Sequence, residues 1–232
     1  IKYMQHKQRF TNVTLVTPYG EEDKDLLIDG DKIIDFLNPN ENISDDWKII
    51  DGQNNFIFPG MIDVLQHGFL NYLYGHAEEN CTVDNSKILP SVGVTGFLPS
   101  TPCLPPEKTK TLLNALSNDI DKAKEGARVL GIHSEGPCFA LPGAHDPKNL
   151  RNPSVSLAEE LLDACQGKLK ALTLAPEMNG SEEFIKRLKK EKISIHLGHS
   201  GANPIDVPKF ADWGVDAVTH MYDALPTYPP DD

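Results

Sequence analysis

The pattern of apolar and polar positions divides the chain into two regions with different periods. In residues 10–58, short apolar runs alternate with polar positions and turn residues, which is typical of β-strands. Strands are predicted at 11–16, 25–28 and 32–36, and Asp29-Gly30 between the last two is a hairpin signal. We therefore expect a small antiparallel module that cannot be stable alone and packs against another part of the protein.

From residue 56 onward, apolar runs that predict buried strands alternate with amphipathic segments that predict helices. Strands are predicted at 56–63, 93–98, 128–133, 170–175, 192–198 and 216–220, and helices at 84–91, 107–124, 156–165, 181–190 and 203–214. A capping box at residues 156–159 marks the start of the third helix. Strands that alternate with helices predict a parallel sheet, and six strands with five helices are most of a (β/α)8 barrel. The chain ends soon after the sixth strand, so two βα units are missing if the barrel prediction holds.

Composition and charge narrow the class of protein. The chain has 232 residues, 39% hydrophobic and 24% charged, which is ordinary for a globular protein. Its net charge of −12 argues against general affinity for nucleic acid or anionic membranes. No apolar run is long enough to span a bilayer, and the first ten residues have no signal-peptide core. The four cysteines have no CxxC spacing and are expected to be reduced thiols. We therefore expect a cytoplasmic protein with neither a nucleic-acid nor a membrane partner.

Three residues that can bind a metal follow three predicted strands. Glu135, His199 and His220 each lie just past a strand, and the carboxyl ends of parallel strands meet on one face of a barrel. One carboxylate and two imidazoles leave a coordination position open for water, as in catalytic zinc sites. The pattern predicts a metal-dependent hydrolase with one divalent ion. Zinc is the first choice for this ligand set, and iron, cobalt and manganese stay open.

A series of motifs runs along the chain in a fixed order. HSEGP, TLAPE and GHS together are specific, whereas each alone is a weak signal. In that order the sequence resembles the N-acetylglucosamine-6-phosphate deacetylase family of the amidohydrolase superfamily. The motifs are PGMID at 59–63, HG at 67–68, GVTGFLPS at 93–100, HSEGP at 133–137, GAHDP at 143–147, TLAPE at 173–177, GHS at 198–200 and THMYDA at 219–224.

The resemblance implies an α/β fold in two parts. Residues 1–55 would form the N-terminal part of a small β-sandwich domain, and residues 56–232 strands one to six of an incomplete, TIM-like (β/α)8 barrel. It implies hydrolysis of the acetamide of an N-acetylated amino sugar, N-acetylglucosamine 6-phosphate above all, to glucosamine 6-phosphate and acetate. This reaction belongs to amino-sugar catabolism. A homodimer is implied by the resemblance alone.

The resemblance also assigns roles to individual residues. Glu135, His199 and His220 are carried over as metal ligands. His145 is carried over as a substrate contact near the acetamido carbonyl, and Asp223 with Ala224 as the segment that lines the sugar phosphate. The catalytic aspartate of the family follows strand eight and lies beyond the last residue of this chain. No catalytic residue is therefore assigned.

Two positions depart from the family pattern. Leu65 stands where an HxH pair has its first histidine, so His67 remains as a former ligand position or a loop residue, and a single ion is expected. Asp223 replaces the usual Asn, and its carboxylate would repel a phosphate unless it is protonated or turned away.

Two alternative functions stay open on these grounds. One is hydrolysis of a different, non-phosphorylated amide. The other is a non-catalytic, truncated homologue that binds metal or sugar. Glu177, at the end of its predicted strand, is either a general base or a structural carboxylate.

Overall fold

A computed structural model describes residues 7–44, 46–76 and 80–226, and the chain divides between Pro59 and Gly60 into two compact units. The predicted domain boundary after residue 55 falls inside a strand, β5 (Lys48–Ile57). This strand continues because Phe56 and Ile57 pair with β1 (Gln8–Thr17) of the first unit. The predicted strand 56–63 is therefore two elements, the end of β5 and the separate strand β6 (Met61–Gln66).

The first unit is a five-stranded sheet. Between β1 and β5 the chain forms β2 (Gly20–Asp23), β3 (Asp25–Asp29) and β4 (Lys32–Leu37). Strand β1 pairs antiparallel with β2 and β3, as expected, but parallel with β5. The module is therefore mixed rather than antiparallel, because the connection 38–47 returns the chain so that β5 runs in the direction of β1.

The second unit is an α/β half-barrel built on one parallel sheet. Across this sheet β6 lies beside β9, and β9 lies beside both β10 and β11. Strands β12, β13 and β14 then follow β11 in that order. Strands β10 and β11 both pair with β9, so they act as one strand interrupted at Gly131, whose φ is 146°. The remaining strands are β7 (Gly68–Phe69), β8 (Tyr72–Leu73), β9 (Val94–Thr101), β10 (Arg128–Val129), β11 (Ile132–Glu135), β12 (Leu169–Leu174), β13 (Ser194–Leu197) and β14 (Val215–Val218).

In the described part of the chain five α-helices connect these strands. They are α1 (Cys81–Ile88), α2 (Pro106–Lys122), α3 (Val155–Ala164), α4 (Ser181–Lys190) and α5 (Val207–Trp213). Helices α2, α3 and α4 each bury an apolar face. The N-cap of helix α3 is Ser154, two residues before the predicted N-cap Ser156, because the Ser154 hydroxyl accepts a hydrogen bond from the N–H of Leu157. Helix α4 buries Phe184, Ile185 and Leu188 in the apolar core of the unit. Among the helices of the described residues, none is both long enough and apolar enough to cross a bilayer.

The core of the second unit makes one prediction about stability. Ile185 in α4 is 0% exposed, whereas Ile205 is 81% exposed. Ile185→Ala removes buried methyl groups and leaves a cavity, so we expect a loss of about 2–5 kcal/mol in the free energy of unfolding. Ile205→Ala is the matched control and should cost less than about 0.5 kcal/mol. Urea unfolding measures both, and equal losses would contradict this assignment of the core.

Candidate metal centre

Four imidazoles surround one buried carboxylate. The Oε2 atom of Glu135 lies 3.1 Å from Nε2 of His67 and 3.4 Å from Nε2 of His145. Its Oε1 atom lies 3.5 Å from Nε2 of His199 and 3.2 Å from Nε2 of His220. The structure thus brings together the three residues predicted as ligands and adds His145 and His67.

The strand ends explain this convergence. Glu135 is the last residue of β11, His67 follows β6 directly, and His199 and His220 come two residues after β13 and β14. His145 lies in the loop between β11 and α3. Because the strands are parallel, their carboxyl ends meet at one edge of the sheet, and residues far apart in sequence reach a common point.

Three of the imidazoles are held by backbone carbonyls. A carbonyl oxygen can only accept a hydrogen bond, so the Nδ1 atom that faces it carries the proton. In the neutral ring, Nε2 then presents a lone pair towards Glu135, as a metal ligand must. The pairs are His67 Nδ1 with the Ser100 carbonyl at 3.2 Å, His199 Nδ1 with the Leu141 carbonyl at 3.0 Å and His220 Nδ1 with the Asp223 carbonyl at 3.0 Å.

His145 has the opposite arrangement. Its Nδ1 atom accepts a hydrogen bond from the backbone N–H of Cys103 at 3.3 Å. The neutral ring therefore carries its proton on Nε2 and offers a donor to the centre of the site. By distance alone, Glu135, His145 and His199 form a group whose ligand atoms lie within 4.8 Å of one another. The hydrogen-bond pattern separates His145 from that group, because a protonated nitrogen has no lone pair for a metal.

The donor set fits a divalent cation. The Nε2 atoms of His199 and His220 are 3.1 Å apart, and both present lone pairs when their Nδ1 atoms are protonated. Two lone pairs at this distance repel each other unless a proton or a cation lies between them. Buried Glu135 beside them supplies the negative charge that a cation needs.

The carboxylate stays ionised despite its burial. Burial alone would raise the pKa of Glu135, but the surrounding imidazoles of His145, His199 and His67 outweigh it and hold this pKa well below its usual range. In return, the Glu135 carboxylate raises the pKa of His67, because it favours the protonated ring. Two further imidazoles lie deeper in the sheet and face no carboxylate directly. Burial lowers the pKa of His133 to about 4 and also lowers that of His196, so both rings are neutral near pH 7.

The loop after β11 encloses His199. The ring of Phe139 stacks on the imidazole of His199, with centroids 4.1 Å apart and an interplanar angle of 19°. The N–H groups of Ala140 and Leu141 both donate to the His199 carbonyl, at 3.0 and 2.9 Å. Gly143 approaches so closely that a Cβ atom there would lie 2.8 Å from Cε1 of His199. Sequence reasoning missed this support, because Phe139 belongs to no motif of the family resemblance.

Glu177 holds the turn that follows His199. Its Oε2 atom accepts a hydrogen bond from the Ser200 hydroxyl at 2.7 Å, and its Oε1 atom accepts one from the Gly201 N–H at 2.6 Å. Both carboxylate oxygens are therefore engaged within the scaffold. This geometry favours the structural reading of Glu177 over the general base.

The segment predicted to line the sugar phosphate adjoins His220. The Asp223 N–H donates to the His220 carbonyl at 2.8 Å, and the carbonyl of Asp223 holds the His220 ring, while its side chain is exposed. A Cβ atom at Gly143 would lie 3.6 Å from the Cβ atom of Ala224, which places this segment beside the loop over His199. Leu65 in β6 has no atom that can bind a metal.

No protein-family model matches the chain, but individual proteins do. It is 30% identical over 231 residues to the human N-acetylglucosamine-6-phosphate deacetylase, covering 94% of this chain and 55% of that protein. It is 33% identical over 181 residues to the enzyme of that name from Bacillus subtilis (strain 168), covering 74% of this chain and 45% of that protein.

The fold agrees with the sequence comparison. The crystal structure of N-acetylglucosamine-6-phosphate deacetylase from Thermotoga maritima superposes with a TM-score of 0.75 at 31% identity, covering 94% of this chain and 56% of that one. The chain spans about half the length of the curated relatives it matches. Motif order, sequence identity and fold agree, and over nearly its whole length the chain is similar to N-acetylglucosamine-6-phosphate deacetylases.

Proposed function

We propose that this chain forms the metal-holding part of an amidohydrolase that removes the acetyl group from an N-acetylated amino sugar. N-acetylglucosamine 6-phosphate is the first candidate substrate, and glucosamine 6-phosphate and acetate are the products. The observation that carries the proposal is the set of imidazoles around Glu135, three of which direct an Nε2 lone pair towards it. The names of the relatives supply the chemical class of the substrate.

The same proposal extends to the architecture. The half-barrel would be part of a (β/α)8 barrel, whose carboxyl edge carries the active site. The mixed sheet of residues 7–57 would be part of a β-sandwich domain. A cytoplasmic enzyme with a small-molecule substrate follows from the amino-sugar chemistry, and the homodimer stays a prediction of the family resemblance.

Glu135, His199 and His220 would hold one divalent metal, for which zinc is the first choice. A metal held there polarises a carbonyl group and acidifies water. Glu135 is ionised, and the neighbouring imidazoles already direct their Nε2 atoms towards it. The site therefore needs little rearrangement to bind the ion. His67 also directs Nε2 at Glu135 and could add a ligand from β6, although Leu65 cannot.

His145 would act on the substrate. Its Nε2–H group points to the centre of the site, because the Cys103 N–H occupies Nδ1. A donor in this position can hydrogen-bond the acetamide oxygen and stabilise the negative charge that develops there when water attacks. The ring is held from below by Phe139, at 5.2 Å between centroids, so the donor is positioned before the substrate binds.

The first prediction separates ligands from donors. We expect about one zinc ion per chain in the purified protein, lost in the His199→Ala/His220→Ala double variant. His145→Ala should keep the zinc, but it should lower kcat for acetate release by about 10²- to 10³-fold, because an oxyanion donor is missing. Elemental analysis measures the metal, and an acetate assay on N-acetylglucosamine 6-phosphate measures the activity.

Each part of that experiment can fail separately. Loss of zinc in His145→Ala would contradict the donor role of His145. Retention of zinc in the double variant would contradict the metal centre. Absence of acetate from zinc-loaded protein, expressed from the complete coding sequence, would contradict the deacetylase assignment.

The second prediction tests the loop over His199. Gly143 and Gly167 both have left-handed φ angles, 54° and 76°, so an alanine at either costs about 1–2 kcal/mol of backbone strain. A Cβ atom at Gly143 would press on the His199 ring, whereas at Gly167 it meets nothing within 4 Å. Gly143→Ala should therefore weaken zinc binding by about tenfold or more, and Gly167→Ala should not. Competition with a chelator measures the affinity, and equal effects would contradict this role of the loop.

The third prediction concerns the phosphate. Asp223→Asn should lower the KM for the phosphorylated sugar about tenfold relative to the unphosphorylated sugar, or ~1.4 kcal/mol, because a repelling carboxylate is removed. The metal content should not change, since His220 uses only the backbone of Asp223. Exposed Asp212 in α5 provides the control, Asp212→Asn. An unchanged ratio would mean that Asp223 is turned away from the phosphate.

A further inference from the structure

A continuous chain of hydrogen bonds, buried at its centre and partly buried at its ends, crosses the sheet one layer below the metal centre. Its members come from five different strands or strand ends and face the inside of the half-barrel. We call it the polar belt, and it consists of the Val64 carbonyl and the side chains of His133, Thr173, Thr219, His196 and Ser194.

The contacts of the belt are short at one end and longer at the other. His133 Nδ1 lies 2.6 Å from the Val64 carbonyl, and His133 Nε2 lies 2.7 Å from the Thr173 hydroxyl. The hydroxyls of Thr173 and Thr219 are 2.8 Å apart. His196 Nδ1 lies 3.5 Å from the Thr219 hydroxyl, and its Nε2 lies 3.1 Å from the Ser194 hydroxyl.

The direction of the bonds from Val64 to Thr219 follows from one end of the belt. The Val64 carbonyl can only accept, so Nδ1 of neutral His133 donates and its Nε2 must accept from Thr173. The Thr173 oxygen then accepts the proton of Thr219, whose own oxygen lies 3.5 Å from Nδ1 of His196. The Thr173 hydroxyl thus donates one bond and accepts one, and its loss leaves a buried polar atom without its partner.

Gly198 allows the belt to cross β13. Thr173 on β12 and Thr219 beyond β14 lie on either side of Gly198, which follows β13. Their side chains can meet only because Gly198 has no side chain. A Cβ atom at Gly198 would lie 2.6 Å from Cγ2 of Thr173 and 3.1 Å from Cβ of Thr219. The absence of this carbon places the two hydroxyls in contact directly beside His199.

The belt is joined to the metal centre through the backbone. His133 precedes Glu135 by two residues on β11, so both side chains lie on the same face of the sheet. Thr219 precedes His220, and the N–H of Thr219 donates to the Leu197 carbonyl at 2.8 Å. The carbonyl of Thr173 accepts from the N–H of Gly136 at 3.0 Å, just after Glu135.

We propose that Thr173 and Thr219 are positioning residues, whose paired hydroxyls fix the strand ends that carry Glu135 and His220. The proposal rests on the metal centre of the proposed function and deepens it. Thr173 is the central member, because its hydroxyl bonds both His133 and Thr219. Thr173→Val keeps the shape of the side chain but leaves Nε2 of His133 buried without a donor. The His133 ring then turns, and the end of β11 shifts with it.

The test compares three variants by zinc affinity, measured by competition with a chelator. Thr173→Val should weaken zinc binding about 10- to 100-fold, the usual effect of losing a group that orients metal ligands. Thr173→Ser retains the hydroxyl and should restore most of the affinity. The matched control is Thr82→Val in α1, because Thr82 is fully buried and its hydroxyl has no hydrogen-bond partner in the described part of the chain.

A second readout needs no metal and no activity. Two-bond ¹H–¹⁵N correlation spectra of the metal-free protein report which imidazole nitrogen carries the proton. In the wild type we expect the proton on Nδ1 of both His133 and His220. In Thr173→Val we expect both rings to show a mixture of the Nδ1–H and Nε2–H forms. If Thr173→Val does not fold, Thr219→Val is measured in the same way, since it leaves the bond between His133 and Thr173 intact.

The outcomes distinguish this proposal from the function on which it rests. Wild-type zinc affinity in Thr173→Val, or unchanged imidazole spectra if the wild type takes up no zinc, would overturn the positioning role. Protein that binds zinc but releases no acetate would contradict the proposed function alone. A loss of affinity in Thr82→Val as large as in Thr173→Val would also overturn the proposal, because any buried threonine would then have the same effect.

Discussion

The position of one proton on each imidazole is the constraint on which the site depends. Backbone carbonyls hold that proton on Nδ1 of His67, His199 and His220, and a backbone N–H forces it onto Nε2 of His145. The same side chain therefore presents an Nε2 lone pair in three places and an Nε2–H donor in one. Glu135 lies between them and stays ionised because these groups surround it. The backbone around the rings, more than the choice of residue, decides what each histidine can do.

Two kinds of structure keep these rings in place. The parallel sheet brings the strand ends together, and its inner layer is tied by hydroxyls and imidazoles instead of aliphatic side chains. The loop after β11 adds a second support from above, through the stacked ring of Phe139 and the close approach of Gly143. The strands determine where each histidine lies, and the loop determines how the His199 ring is oriented. A metal site requires both, because ligand angles matter as much as distances.

The sequence predicted the part of this arrangement that follows from periodicity and chain order. The sequence indicated alternating strands and helices, and it placed Glu135 just past a strand, where the structure has it as the last residue of β11. The pairing of β5 with β1 was not predicted, because parallel pairing depends on the path of a distant connection. The proton positions could not be predicted either, since every residue has a carbonyl and the sequence does not say which one faces a ring. The contact between Thr173 and Thr219 depends on three strands at once and gives no local signal.

The use of Asp223 has a consequence for how such an enzyme can change. The Asp223 carbonyl accepts a hydrogen bond from Nδ1 of His220, while the Asp223 side chain is exposed to solvent. The backbone and the side chain at this position therefore act independently. Any residue that can adopt this backbone conformation would supply the same carbonyl. Selection or drift at position 223 could therefore alter the preference for charged sugars without any cost to the metal. In the proposed enzyme, the side chain at position 223 would influence which sugar binds while its backbone supports His220, so one substitution would be enough to change the range of substrates.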